Sequence, residues 1–446
     1  MAQRVKGLAA RAISGPGLEH SPLAGGRQDG SGKMSRRAWI RRFAGSALLI
    51  ALLILTGCAE RNTSVYLPDT TPPSVSGITE SQGSVSWQTD EDCTCVLLYG
   101  TTRGIYDHYA YSVVDGGEAH EAGIIDVPAA KYYFRVMATD RAGNVATSAE
   151  TSFTLAAVLH PAELVYTMVD VGWGDCHFLE FPNGTTVMID SGTNDVNHKS
   201  NISAFLTARK IAAPSGITYM VGTHAHADHL GGFPSFIAQY RNAVFLAPDS
   251  ASVSVFQYMS KDLNSVNMVR HGLREGQTNA DTDFLKWDEE DGVKVKVLSA
   301  GAGRLFSPDN PGDSINCDSV VLKVSYGEVD FLLTADAEEF VEDRMIKFHS
   351  SDLPCEVLKV GHHGNDDATS NPFLNWAHPR VGLISNSLAE NDGVFKQSVI
   401  NLLLSHNVNY YVTDRVYMDA ARNAAPQHGN LTVTTDGETY VVSSWK

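Results

Sequence analysis

The run Thr223-His224-Ala225-His226-Ala227-Asp228-His229 places three imidazoles and a carboxylate within six positions, just after the apolar stretch Ile217–Val221. Neutral imidazole and carboxylate together suit Zn, Mn or Fe. On an extended segment His224 and His226 point to one side and can clamp one cation. Asp228 and His229 fall on the following turn, within reach of a second. Two cations about 3.5–4 Å apart can share a hydroxide and hold both the attacking and the leaving oxygen of an ester under hydrolysis. Partners follow in order: Asp336 after the strand-like run Val329–Thr334, and His362-His363 after Val357–Val360. Upstream, Val187-Met188-Ile189 ends in Asp190. Three apolar strands are therefore expected to deliver polar groups to one rim, where sites form in layered α/β folds. Cys176 has no matching base beside it and reads as a packing residue, so no serine or cysteine nucleophile is expected.

The His-x-His-x-Asp-His pattern, with Asp190 before it and Asp336 and a histidine after it, resembles the metallo-β-lactamase fold. Further stretches narrow the likeness: Asp170-Val171-Gly172-Trp173-Gly174-Asp175, Asp318-Ser319-Val320-Val321-Leu322, Phe331–Asp336 and Leu358-Lys359-Val360-Gly361-His362-His363-Gly364. Together they are similar to the soluble hydrolase domain of the DNA-uptake channel protein ComEC. Tyr410–Arg415 and Thr435-Asp436-Gly437 extend the likeness toward the end of the chain. The resemblance implies an αββα sandwich over residues 163–446 holding two divalent metal ions, Zn or Mn. It assigns His224, His226 and one histidine of the His362-His363 pair to the first ion, Asp228 and His229 to the second, and Asp336 to the bridge. Asp190 is implied as an outer group that orients the histidine loop. Many members carry another histidine before the bridging aspartate; His271 lies too early for it and reads as a surface-loop residue. Asp318 occupies the later position and is expected as a ligand or supporting group. Asp228 or His363 is expected to manage the leaving-group proton.

The elements around this set divide the chain. Residues 74–156 carry short strand-like runs with turn signals between them, which predicts an all-β sandwich. Trp87-Gln88-Thr89-Asp90-Glu91, Tyr99-Gly100-Thr101-Thr102 and Tyr132–Val136 resemble a fibronectin type III-like module. It is expected to be a separate unit acting as a spacer or as an arm for a surface partner, with His120 a solvated loop residue. Residues 58–73, with Pro68, Pro72 and Pro73, read as an extended linker.

Arg36-Arg37 and Arg41-Arg42 precede the apolar run Phe43–Thr56 and then Gly57-Cys58. That order is a secretory signal over 34–57. Leu55-Thr56-Gly57-Cys58 resembles a bacterial lipobox, which implies lipidation at Cys58 and a cell-membrane or outer-membrane lipoprotein facing the extracytoplasmic side. Residues 1–33 read as a non-structural extension ahead of a start at Met34.

The chain holds 34 basic and 51 acidic side chains. Residues 1–57 contain 9 and 2 of these, which leaves the remainder at −24. Such a surface repels polyanions at long range, and no basic–aromatic stripe marks a duplex-binding face. There is no phosphate-cradling glycine loop and no nucleotide cofactor is expected. The expected activity is a phosphodiesterase or nuclease acting on a small phosphoester, single-stranded nucleic acid or a cell-envelope component. Hydrolysis of another ester, lactone or β-lactam, and a non-catalytic surface-binding lipoprotein, are the alternatives.

Overall fold

A computed structural model describes residues 69–445 apart from 82–83, 113–117, 125–129, 156–162, 306–312, 387–395 and 414–428. The extension, the secretory signal, Cys58, residues 58–68 of the linker and the pair Asp414-Arg415 lie outside the described residues. Residues 68–446 form one compact unit. No described helix is long and apolar enough to cross a membrane.

Two sheets build the C-terminal part. One runs, in spatial order, through Val269–Leu273, Val244–Pro248, Tyr219–Val221, Thr186–Ile189, His177–Glu180, Leu164–Met168, Asn430–Thr435 and Tyr440–Trp445. The other has six strands, in the order Lys294–Ser299, Val321–Tyr326, Val329–Leu333, Val357–Lys359, Val381–Ile384, Asn409–Val412. Successive side chains of a strand face opposite ways, and here both faces are buried. Phe331 and Leu333 enter the core between the sheets, whereas Leu332 faces the helical layer of Val341, Met345, Phe373 and Leu403. Val187 and Ile189 likewise point inward, and Met188 packs with Phe205, Phe233 and Phe236 on the other helical layer. Such strands read as continuous apolar runs because neither face meets water. Each large side chain so buried contributes about 1.5–3 kcal/mol. The result is helix, sheet, sheet, helix.

The N-terminal all-β part pairs Val75–Ser81, Ser84–Thr89 and Ala119–Gly123 in a three-stranded sheet. Its remaining strands do not form a sheet of their own. His108–Tyr111 hydrogen-bonds to Tyr440–Trp445, with Ala110 opposite Ser443 and His108 opposite Trp445. Cys93–Gly100 and Lys131–Asp140 follow, so one 13-stranded sheet spans both parts. Along Cys93–Gly100, Cys95, Leu97 and Tyr99 pack into the all-β part while Val96 and Leu98 enter the core between the two large sheets. The separate unit expected from sequence is thus fused to its neighbour, because this strand is apolar on both faces. His120 is buried beside Thr89, not solvated as expected, with Nε2 3.0 Å from the hydroxyl. His271 lies on the exposed edge strand Val269–Leu273, stacked on Phe284.

Candidate metal centre

The polar groups gather where strands end. Thr186–Ile189 and Tyr219–Val221 run parallel and deliver Asp190 and Thr223-His224. Val329–Leu333 and Val357–Lys359 run parallel in the facing sheet and deliver Asp336 and His362-His363. A short helix, Ala227–Leu230, starts just after His226 and carries Asp228 and His229. Asp190, Ala335, His362 and His363 all take positive φ, at 56°, 48°, 44° and 52°. Each costs about 1–3 kcal/mol in a non-glycine residue, and such strain collects at functional sites. Gly174, with φ 126°, lies so close to the Asp228 carbonyl that an added Cβ would stand 2.3 Å from it.

The donor atoms converge on one carboxylate oxygen. Asp336 Oδ2 lies 3.0 Å from His229 Nε2, 3.4 Å from His363 Nε2 and 3.9 Å from each of His224 Nε2 and His362 Nε2. His224 Nε2 and His226 Nδ1 stand 3.2 Å apart, and His363 Nε2 is 3.5 Å from Asp228 Oδ2. Ligand atoms about 2.1 Å from a tetrahedral ion are separated by about 3.4 Å. His363 Nε2 is buried with no hydrogen-bond partner, as an atom reserved for a cation would be. Asp228, His229, Asp336 and His363 stand close enough together to hold a divalent ion, and His224 and His226 lie beside them. His224 and His226 form one side, Asp228, His229 and His363 the other, and Asp336 stands between. His363 falls with Asp228 and His229, on the opposite side from the first-ion ligands with which the resemblance grouped one histidine of the pair. His362 turns toward Asp367, with Nδ1 2.8 Å from its carboxylate, and toward Asn316.

Outer contacts orient these ligands. Asp190 accepts from the Thr223 amide at 2.9 Å and hydroxyl at 2.7 Å, and its Oδ2 lies 2.8 Å from His229 Nδ1. That pairing aims His229 Nε2 at the centre. The His363 Nδ1 lies 3.0 Å from the Ser385 carbonyl, and the Trp173 ring covers the imidazole. Asp318 is not brought into this set. Its Oδ2 accepts from the Ser252 amide and hydroxyl and from the Val253 amide. The next residue, Ser319, reaches the site instead, with Oγ 3.4 Å from His224 Nδ1 and accepting from the Asp336 amide at 3.2 Å. Adjacent residues point to opposite sides here, and the inward one is the serine.

Electrostatics prepare the site for cations. Burial opposes ionisation of Asp336, yet His229, His363 and Lys359 hold its carboxyl well below the usual carboxylate range. The same balance of burial against His229 and His363 lowers Asp228. Burial and the His229 charge push His224 well below the usual histidine range, so it is a neutral donor. His229 and His363 are raised in spite of burial, chiefly by Asp336. Sequence reasoning missed two charged residues here. Lys359 is buried with Nζ 2.7 Å from Asp175 Oδ2 and 3.4 Å from Asp336 Oδ1. The available signal was a lysine inside an otherwise apolar strand.

Four layers with a histidine–aspartate cluster at the strand ends define an αββα metal-binding domain. Residues 169–385 match the metallo-beta-lactamase superfamily, and the chain carries a domain of that superfamily. It is similar to ComE operon protein 3 of Bacillus subtilis, at 24% identity over 56% of this chain and 31% of that protein. Recombination protein 2 of Haemophilus influenzae is 24% identical over 57% of this chain and 30% of its own length. Competence protein ComA of Neisseria gonorrhoeae is 29% identical over 22% of this chain and 14% of its length. The chain thus spans less than a third of the length of these relatives. Among solved structures it is similar to the short form of human tRNase Z, at 13% identity over 50% of this chain and 92% of that one, with TM-score 0.31.

Proposed function

We propose that the chain is a metal-dependent hydrolase with a dinuclear site, and that its substrates are phosphodiesters met outside the cytoplasm. The observation that carries this reading is Asp336 Oδ2, which four imidazole nitrogens approach within 3.9 Å from two sides. Two divalent ions held there would supply the charge that acidifies a water and neutralises the transition state of ester hydrolysis. His224 and His226 hold one side, and Asp228, His229 and His363 hold the other. Asp190 fixes the tautomer and aim of His229, and Trp173 and Gly174 close the wall beside His363 and Asp228. His362, backed by Asp367, is placed to hold a proton at Nε2 facing the centre. The likeness to competence proteins supports phosphodiesters as the first class to try. Secretory export, a lipid anchor at Cys58 and a fibronectin type III-like character for the β-sandwich complete the proposal.

A second reading keeps the site and changes the substrate. A charge of −24 over residues 58–446 favours small, neutral or zwitterionic esters, such as envelope components, over long polyanions. The test is turnover of bis-p-nitrophenyl phosphate by residues 68–446, with metal quantified, beside ester and lactam reporters. Metal-dependent cleavage of the phosphodiester, abolished in Asp228→Ala, is the expected result. Two bound ions without phosphodiester turnover would reject the first reading in favour of the second.

A further inference from the structure

Lys359 ends the strand Val357–Lys359, beside Leu333 of the strand that delivers Asp336. Its ammonium is buried and meets three oxygens: the Ala335 carbonyl at 2.6 Å, Asp175 Oδ2 at 2.7 Å and Asp336 Oδ1 at 3.4 Å. The contacts to Ala335 and Asp336 are hydrogen bonds, and the one to Asp175 is a buried ion pair. Ala335 is also the positive-φ residue of the turn, at 48°. The same lysine therefore grips the strained turn and the far oxygen of the carboxylate it presents. Asp175 also joins this lysine to His363, four residues further along the chain, since its Oδ1 lies 3.4 Å from His363 Nδ1. Burying such a pair costs several kcal/mol per ion and is weak evidence for stability. The geometry around Asp336 offers another reason for it. The Nε2 atoms of His224, His229, His362 and His363 are nearest Oδ2, whereas the lysine is nearest Oδ1.

We propose that Lys359, clamped by Asp175, is a positioning residue that reserves Asp336 Oδ1 for itself, so that Asp336 presents Oδ2 alone to both ions. This rests on the dinuclear reading above. Without the ammonium, Oδ1 is no longer held in place, and the two sides of the site are no longer kept at a fixed spacing.

The test is Mn2+ binding to residues 68–446, followed by calorimetry and by the electron paramagnetic resonance of the loaded protein. K359M alone would leave Asp175 buried and uncompensated, so D175N/K359M is the principal variant. K359Q, which keeps an N–H donor, is the second and carries the test if the double variant loses its cooperative melt. Wild type is expected to bind two ions and to show an exchange-coupled signal. The double variant is expected to release its weaker ion about 10–100-fold more readily, the range for loss of an outer partner, with an altered coupled signal. K359Q is expected to fall between the two. Unchanged affinity and spectrum in the variants would overturn the role of Lys359 and leave the dinuclear site standing. Wild type binding fewer than two ions would overturn both.

Discussion

At the scale of the residue, the centre is a set of charges balanced around Asp336. His229 and His363 hold protons that an arriving cation must displace, because both are raised by neighbouring carboxylates. Metal uptake is therefore expected to release protons and to tighten as pH rises, which calorimetry in buffers of different ionisation enthalpy would detect. Equal heats in all buffers would refute it. His363→Ala is expected to lower the bound metal from two ions toward one, read by elemental analysis after gel filtration. Asp318→Asn should leave metal content unchanged yet cost about 1–3 kcal/mol in stability, the range for disturbing a buried hydrogen-bonded acceptor. Loss of an ion in that variant would return Asp318 to the ligand set. The contiguous polar cluster was legible because His224, His226, Asp228 and His229 fall within six positions. Asp336 and His363 followed as the polar ends of apolar runs. Asp318 misled because spacing cannot say which of two adjacent residues faces inward. Asp175 and Lys359 stood within quoted motifs but received no role, because neither matches a ligand pattern on its own.

At the scale of the element, helix Glu339–His349 is tied to the segment after His362-His363 by one buried carboxylate. Glu342 accepts from the Thr369 amide at 2.5 Å and the Ser370 amide at 2.9 Å. Burial pushes its pKa up to about 7, from 4.5. Between those values the folded chain holds a proton that the unfolded chain has lost. The stability linked to this group is thus full below pH 4.5 and falls as pH rises to about 7. At about 1.36 kcal/mol per unit, the change is of order 3 kcal/mol. Glu342→Gln keeps an acceptor and removes the titration. Urea unfolding at pH 5 and pH 7.5 should show wild type losing stability relative to E342Q across that interval; parallel behaviour would discount the buried glutamate. The strands were legible as elements because runs such as Phe331-Leu332-Leu333 are apolar throughout. Their partners were not, since nothing local in Leu164–Met168 says that Asn430–Thr435 will lie beside it.

At the scale of the whole molecule, the two parts share a sheet and a core. Tyr111 packs against Tyr411 with ring centroids 4.5 Å apart, and Val96, Leu98 and Tyr111 belong to the core between the large sheets. A chain starting at Glu163 would expose the strand Tyr440–Trp445 along its whole edge. Such an edge invites pairing with another copy. That truncation is expected to melt below residues 68–446 and to self-associate, checked by calorimetry and light scattering. A monomer of equal melting temperature would show that the joint is dispensable. Separate-looking strand patterns predicted two units, and the long-range pairing of Ala110 with Ser443 joins them in one sheet. The joint also bears on how such a protein can be inherited. A domain strung on a flexible linker can be exchanged as a cassette by recombination at the linker. Here a replacement must bring a strand that fits the final edge in register, and side chains that complete its neighbour's interior. Lineages that reshuffle their domains are free to vary the metal-bearing sandwich or its companion, but they must change the two surfaces at the seam together.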